Sequence, residues 1–291
     1  MVAGKPPEAE HQLSPRPMGL DTFIQDSTYA TLPDRVTRYA ILSTSTSGGT
    51  AVVTARMTTA AGSWNQRFYL HPRSHRLVLW QVWAIDGSQF SAIHVGDSAP
   101  PGTGLTLDDA RSSSVADENG YIALPGTYHL TSTTGSPLVA TQSVTVKVTS
   151  FQLSYDAGIT GMLNDAGQAK ARAAVAAFED ACVQQEVLAP TGGCGYYIID
   201  DHQYTVKSVH WTIDKRPDVS FGAYRDGGWD VHTDATGTFV MDALITDGSR
   251  YGVSEAVVDD YTVRGYVEPD GNDGLRFISD YSDGDGASGD V

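Results

Sequence analysis

Residues 165–195 read DAGQAKARAAVAAFEDACVQQEVLAPTGGCG. Within this stretch Ala171, Val175, Phe178 and Cys182 recur at spacings of four, three and four, which lays them along one face of a helix. Asp165, with Gln168 three residues on, has the form of a capping box at the helix start. Cys182 is then on the buried side, and Cys194 follows in a Gly-Gly-Cys-Gly turn. These are the only 2 cysteines of the chain. They read as a disulfide joining the helix to the strand that follows, stabilising by about 3 kcal/mol through the short loop it closes. Two unconnected thiols are one alternative. A metal or redox role is another, although further ligands nearby and a CxxC motif are lacking. A disulfide would place the protein outside the reducing cytosol.

Downstream the period changes to two. Tyr204 to Ile213 puts Val209, Trp211 and Ile213 on one face. The segments Trp229–Thr233, Thr238–Leu244, Val253–Val258, Tyr261–Val267 and Leu275–Ile278 follow, punctuated by Asp226-Gly227-Gly228, Asp247-Gly248 and Pro269 to Gly274. One helix against a long, curved antiparallel sheet predicts an α+β, β-rich fold over 151–280. The segment 281–291, mostly Gly, Ser and Asp, is expected to be a disordered acidic tail.

Upstream, residues 1–28 carry Pro6, Pro7, Pro15 and Pro17 among polar residues and are expected to be a flexible leader or linker. From 29 to 86 the segments Thr50–Thr58, Arg67–His71 and Arg76–Ile85 predict an antiparallel meander, with Trp64, Trp80 and Trp83 covering its apolar face. A lone meander is odd for a complete domain, so its beginning is expected to be missing. Residues 87–150 hold short β-rich runs and read as a small β-sandwich. In it Leu124-Pro125-Gly126-Thr127 fits a type II turn, and Tyr128, Leu130 and Ser132 share one strand face. Leu77–Ile85, the longest apolar run, is about half a membrane span. Residues 1–20 lack the apolar core of a signal peptide.

The net charge is −16. Residues 1–150 carry 10 Lys/Arg and 11 Asp/Glu, and residues 151–291 carry 9 and 24. Such a field disfavours nucleic acid and anionic lipid. Nucleophile-elbow, P-loop and dinucleotide-binding motifs are missing, and no cofactor is indicated. His71 and His75 are separated by Pro72, which argues against a helical metal pair. Asp270, Asn272 and Asp273, and Asp280, Asp283 and Asp285, lack EF-hand spacing. The chemistry closest to catalysis is Asp200-Asp201-His202 with His210 and His232 nearby in sequence, an acid–base pairing of carboxylate and imidazole. The aromatics Trp80, Trp83, Tyr128, Trp211 and Trp229 read as core, with a glycan or peptide groove as the other reading.

A helix ending in Cys182, then Leu188-Ala189-Pro190-Thr191-Gly192-Gly193-Cys194, then Val209-His210-Trp211-Thr212-Ile213 and Trp229-Asp230-Val231, resembles the extracytoplasmic region of single-pass actinobacterial membrane proteins. The segment Leu124-Pro125-Gly126-Thr127-Tyr128 is similar to the small β-domain those proteins carry just upstream, of the PEGA type. The flanking units resemble the NTF2-like superfamily, and the plan over residues 37–280 is similar to TcaA-type envelope proteins of Gram-positive bacteria. The resemblance implies a membrane-anchored, outward-facing protein, anchored through a segment outside these 291 residues, with no catalytic residues to carry over. The expectation is therefore a non-catalytic cell-envelope domain at the cell surface, binding an envelope protein or glycan or acting as a structural module. His202, His210, Trp211 and Trp229 are its candidate ligand contacts. The alternative is a small-molecule enzyme or sensor using the cavity of the 151–280 domain.

Overall fold

Gly48 and Gly49 both take positive φ (57° and 83°), the backbone that a two-residue type I′ hairpin requires. They join β1 (Arg38–Ser47) to β2 (Thr50–Thr59) in the computed structural model, which describes residues 22–76, 80–107, 114–115, 120–199, 203–271, 274–281 and 287–289. With β3 (Gly62–Arg76) and β4 (Trp80–Ile85) they form the expected antiparallel meander, in the order β1-β2-β3-β4. The fold is α+β and β-rich, with several largely antiparallel sheets that do not close into a barrel.

By contact the chain divides into two compact units, 1–135 with 141–160, and 136–140 with 161–291. In the first unit the meander shares its core with the strands that follow. These are β5 (Ser91–His94), β6 (Gly104–Leu107), β7 (Ser114–Val115), β8 (Tyr121–Ala123), β9 (Gly126–Thr133), β10 (Ser143–Val148) and β11 (Ser154–Asp156). They make a sheet β10-β9-β6-β7 and a sheet β11-β5-β8, in which β11 runs parallel to β5. Ala55, Met57 and Phe68 of the meander are buried with Leu105, Tyr121, Tyr128 and Leu130 in one cluster. The core starts earlier than the expected leader allows. Phe23 and Ile24 are buried because the Phe23 ring stacks on Tyr121 at 4.6 Å, and Tyr29 donates to Pro125 O at 2.9 Å. Burial pushes the Tyr29 hydroxyl up to about 12.

Tyr128, Leu130 and Ser132 do lie on one buried face of β9. The turn before them is not type II, since Gly126 does not take a positive φ. The Tyr128 hydroxyl instead accepts from Leu124 N–H (3.0 Å) and donates to Leu124 O (2.7 Å), while Thr127 N–H is drawn to Pro33 O at 2.9 Å. Those bonds fix the bend at Pro125 between β8 and β9.

The second unit is built on α1 (Asp165–Val183). Its cap lies one residue before the expected Asp165: Asn164 accepts from Gly167 N–H at 2.9 Å, and Gln168 reaches back to Leu163 O rather than closing a box. The strands are β12 (Tyr196–Ile198), β13 (Thr205–Lys215), β14 (Asp218–Arg225), β15 (Gly228–Ala235), β16 (Gly237–Thr246), β17 (Tyr251–Tyr261), β18 (Gly265–Pro269), β19 (Leu275–Ser279) and β20 (Ala287–Gly289). In place of one long sheet they pair as β13-β16-β17, β14-β15-β18-β19 and β12-β20. The segment expected to be a disordered tail thus supplies a strand, because Ala287–Gly289 runs parallel to Tyr196–Ile198. Asp226 and Gly227, both at positive φ (52° and 99°), make the β14–β15 hairpin. Among the described residues no helix is long and apolar enough to cross a membrane.

Candidate functional site

The interior of the second unit is filled by aromatic rings. Tyr196 stacks on Phe239 at 4.5 Å and meets Trp211 edge-on at 4.8 Å, and Phe239 meets Tyr261 at 4.6 Å. Both candidate tryptophans are part of this packing. Trp211 is buried and its indole N–H donates to Val187 O at 2.8 Å; Trp229 is buried and donates to Gly161 O at 2.7 Å. Cys182 and Cys194, also buried, form the disulfide, with Cα atoms 5.7 Å apart. A buried disulfide fits an oxidising, extracytoplasmic environment.

His210 stands apart from these rings, exposed on the solvent face of β13. Its strand register places it opposite Asp242, and Asp242 opposite Glu255. Its imidazole makes no hydrogen bond or ion pair among the described residues. Asp200, Asp201 and His202 lie outside the described residues. Asp270 accepts from Gly274 N–H at 3.0 Å, which is turn chemistry; Asn272, Asp273, Asp283 and Asp285 lie outside the described residues. His71 sits 3.4 Å from Asp86, whose carboxyl is held below its usual range by the Ser88 hydroxyl and N–H, with His71 adding to the effect. Among the described residues no group of three His, Cys, Asp or Glu could hold a metal.

One interior group was not visible in the helical period. Glu179 is 2% exposed, with Oε2 2.9 Å from Arg216 and Oε1 unpartnered; the nearby Tyr196 hydroxyl is likewise buried and unpartnered. Burial raises the Glu179 carboxyl above its ordinary value, outweighing the pull of Arg216. The fold therefore favours protonation of this carboxyl more than the unfolded chain does. Its stabilising contribution is complete below the unfolded-state value and is lost as pH rises through the raised folded value. Replacing Glu179→Gln removes that loss. The stability difference between variant and wild type, measured by urea unfolding, should shift in favour of the variant from pH 4 to pH 7. A difference that does not change with pH would contradict the assignment.

The first unit holds a charge pattern that whole-half counts conceal. Residues 35–85 contain six arginines and no aspartate, glutamate or lysine, in a chain of net charge −16. Arg38 pairs across from Thr58, Arg56 from Ala40 and Asn65, and Arg67 from Thr54. Paired residues share a sheet face, and Thr54, Arg56 and Thr58 alternate along β2. The three exposed arginines therefore run diagonally over one face, neighbours roughly 7–8 Å apart. Ser63, Asn65 and Tyr69 lie among them, and none of the three guanidinium groups has a hydrogen-bond or ion-pair partner among the described residues. At the β2–β3 turn a concavity of 310 Å³ is lined by Asp34, Thr59, Gly62, Trp64, Pro125 and Lys147. The Trp64 indole N–H is buried there without a partner, and Lys147 lies 3.7 Å from Asp34.

No protein-family model matches the chain, and neither a curated protein nor a solved structure is significantly similar to it.

Proposed function

We propose that this chain is a non-catalytic, extracytoplasmic binding module of a bacterial cell-envelope protein, engaging an envelope protein or glycan and anchored through a segment outside these 291 residues. The observation that carries the reading is the arginine face of β1–β3. Guanidinium groups match carboxylate and phosphate in a planar, two-pronged geometry that lysine lacks. Three of them without partners on an acid-free sheet are arranged for a ligand that brings the negative charge. The buried disulfide supports the compartment. A likeness of the Cys182–Cys194 region to actinobacterial envelope proteins and an NTF2-like plan for the second unit belong to the same proposal.

Protease treatment of intact native cells tests it. The protein should be cleaved while cytosolic markers survive, and alkylation without reductant should leave both cysteines unmodified. A protected protein with two alkylated cysteines would overturn the reading.

A further inference from the structure

We propose that the outer edge of β1 binds an extended polypeptide segment of a partner protein in which acidic and apolar side chains alternate; this rests on the binding-module reading above and names the partner's chemistry. β1 is ten residues long and terminates its sheet, so its outer row of backbone N–H and C=O groups has no neighbouring strand among the described residues. Soluble proteins protect such edges with lysine, proline, inward charge or a short strand. β1 has no lysine and no proline. Its one such device is the bulge between Ile41 and Ser43, which bends the strand but leaves both halves of the edge unpaired.

The two faces of β1 differ in a way that selects what can pair with it. On one face Arg38 and Arg56 are diagonal neighbours without partners. On the other, Tyr39 pairs with Met57 and Ile41 with Ala55, both core residues of β2, yet Tyr39 and Ile41 are 42% and 62% exposed. Leu42, the extra residue of the bulge, is 45% exposed. Large apolar side chains thus continue the core face beyond the point where the core ends. A strand added at this edge sends alternate side chains to opposite faces. One set would meet the arginines and the other would cover Tyr39, Ile41 and Leu42. Complementarity demands acid on the first and apolar groups on the second, and backbone pairing supplies affinity in the manner of strand addition. A second copy's β1 brings no acid, because residues 35–85 contain none. Nucleic acid would leave the apolar row uncovered, and one exposed aromatic on the arginine face, Tyr69, is a poor stacking platform.

Binding of fluorescent octapeptides to the whole chain, read by anisotropy and by hydrogen exchange of the β1 amides, tests the proposal. A Glu/Val alternating peptide should bind and protect amides in 38–47. A Lys/Val alternating peptide should bind at least tenfold more weakly, about the effect expected of reversing close charge pairs. The double change Arg38→Glu with Arg56→Glu should weaken the Glu/Val peptide at least tenfold, and Ile41→Lys should weaken it independently. All three positions are exposed, and Arg56→Lys, which keeps the charge but loses the two-pronged geometry, should weaken the Glu/Val peptide less than the charge reversals do. Equal binding of the two peptides would overturn the proposal. So would poly-glutamate or single-stranded DNA binding as tightly without protecting β1. A concentration-dependent dimer that protects the same amides would also overturn it, making the occupant a second copy. Absence of the protein from the cell surface would overturn the envelope assignment and leave the peptide measurement standing.

Discussion

Replacing Cys182 and Cys194 together by alanine should lower the unfolding free energy of the second unit by about 3 kcal/mol, the loop-closure entropy of a bridge this short. The native structure holds the same loop in two further ways. Gln185 clamps Thr191 through its N–H (2.9 Å) and its carbonyl (3.0 Å), and Trp211 holds Val187 O at 2.8 Å. These bonds keep the loop in place without the bridge. They do not offset its loss, because the bridge acts mainly by limiting the unfolded chain. The folded structure of the double variant should therefore be close to native while its stability falls. Since the chain has two compact units, one global transition would mix them. Urea titration followed by hydrogen exchange on peptides from 205–269 isolates the second unit. Both cysteines are buried, at 2% and 1% exposure, so reductant should act slowly without urea and rapidly near the unfolding midpoint. A double variant as stable as wild type, within about 0.5 kcal/mol, would mean that the unfolded chain is already constrained around residues 182–194.

The helix face through Ala171, Val175 and Cys182 was legible because a 3.6-residue period survives in an alanine-rich segment. Its partner in burial, Glu179, was not. A carboxylate four residues after Val175 reads as solvated until Arg216, far away in the chain, is seen to reach it. The meander and most later strands were legible from alternation and from glycine-bearing turns. Strand β14, DVSFGAYR, was not, because Gly222 and Ala223 interrupt its alternation. The short pair Tyr196–Ile198 and Ala287–Gly289 depends on a partner 91 positions away in register, which no local pattern announces. The division of the second unit into separate sheets follows from pairing register, which periodicity leaves open. The arginine face was hidden by arithmetic: 10 basic and 11 acidic residues in 1–150 look balanced, although all the acidic ones lie outside 35–85. His210 was correctly placed on a strand. Its solvent-facing side is set by Val209 and Trp211 turning the other way into the core.

Trp229→Ala should be the most damaging single substitution among the candidate site residues, costing the second unit about 3–5 kcal/mol. The ring is 2% exposed, meets Tyr224 edge-on at 5.1 Å and anchors residue 161, which precedes α1, to the sheet. Truncation opens a cavity in a cluster that includes Val231, Val267 and Phe277, all held by strand pairing and slow to collapse into it. Trp229→Phe separates packing from polarity. Gly161 O keeps a second donor, Tyr224 N–H at 2.9 Å, so the carbonyl is not stranded when the indole N–H is lost. The phenylalanine variant should therefore lose only about 1–2 kcal/mol, mostly from reduced volume. Hydrogen exchange of β15 and β18 amides under urea distinguishes the two variants. The same pair also distinguishes core from ligand contact, since a tryptophan that served mainly to bind would weaken binding without moving the unfolding midpoint. Here the midpoint should move first, and binding of the Glu/Val peptide to the separate β1 edge should persist wherever the first unit remains folded.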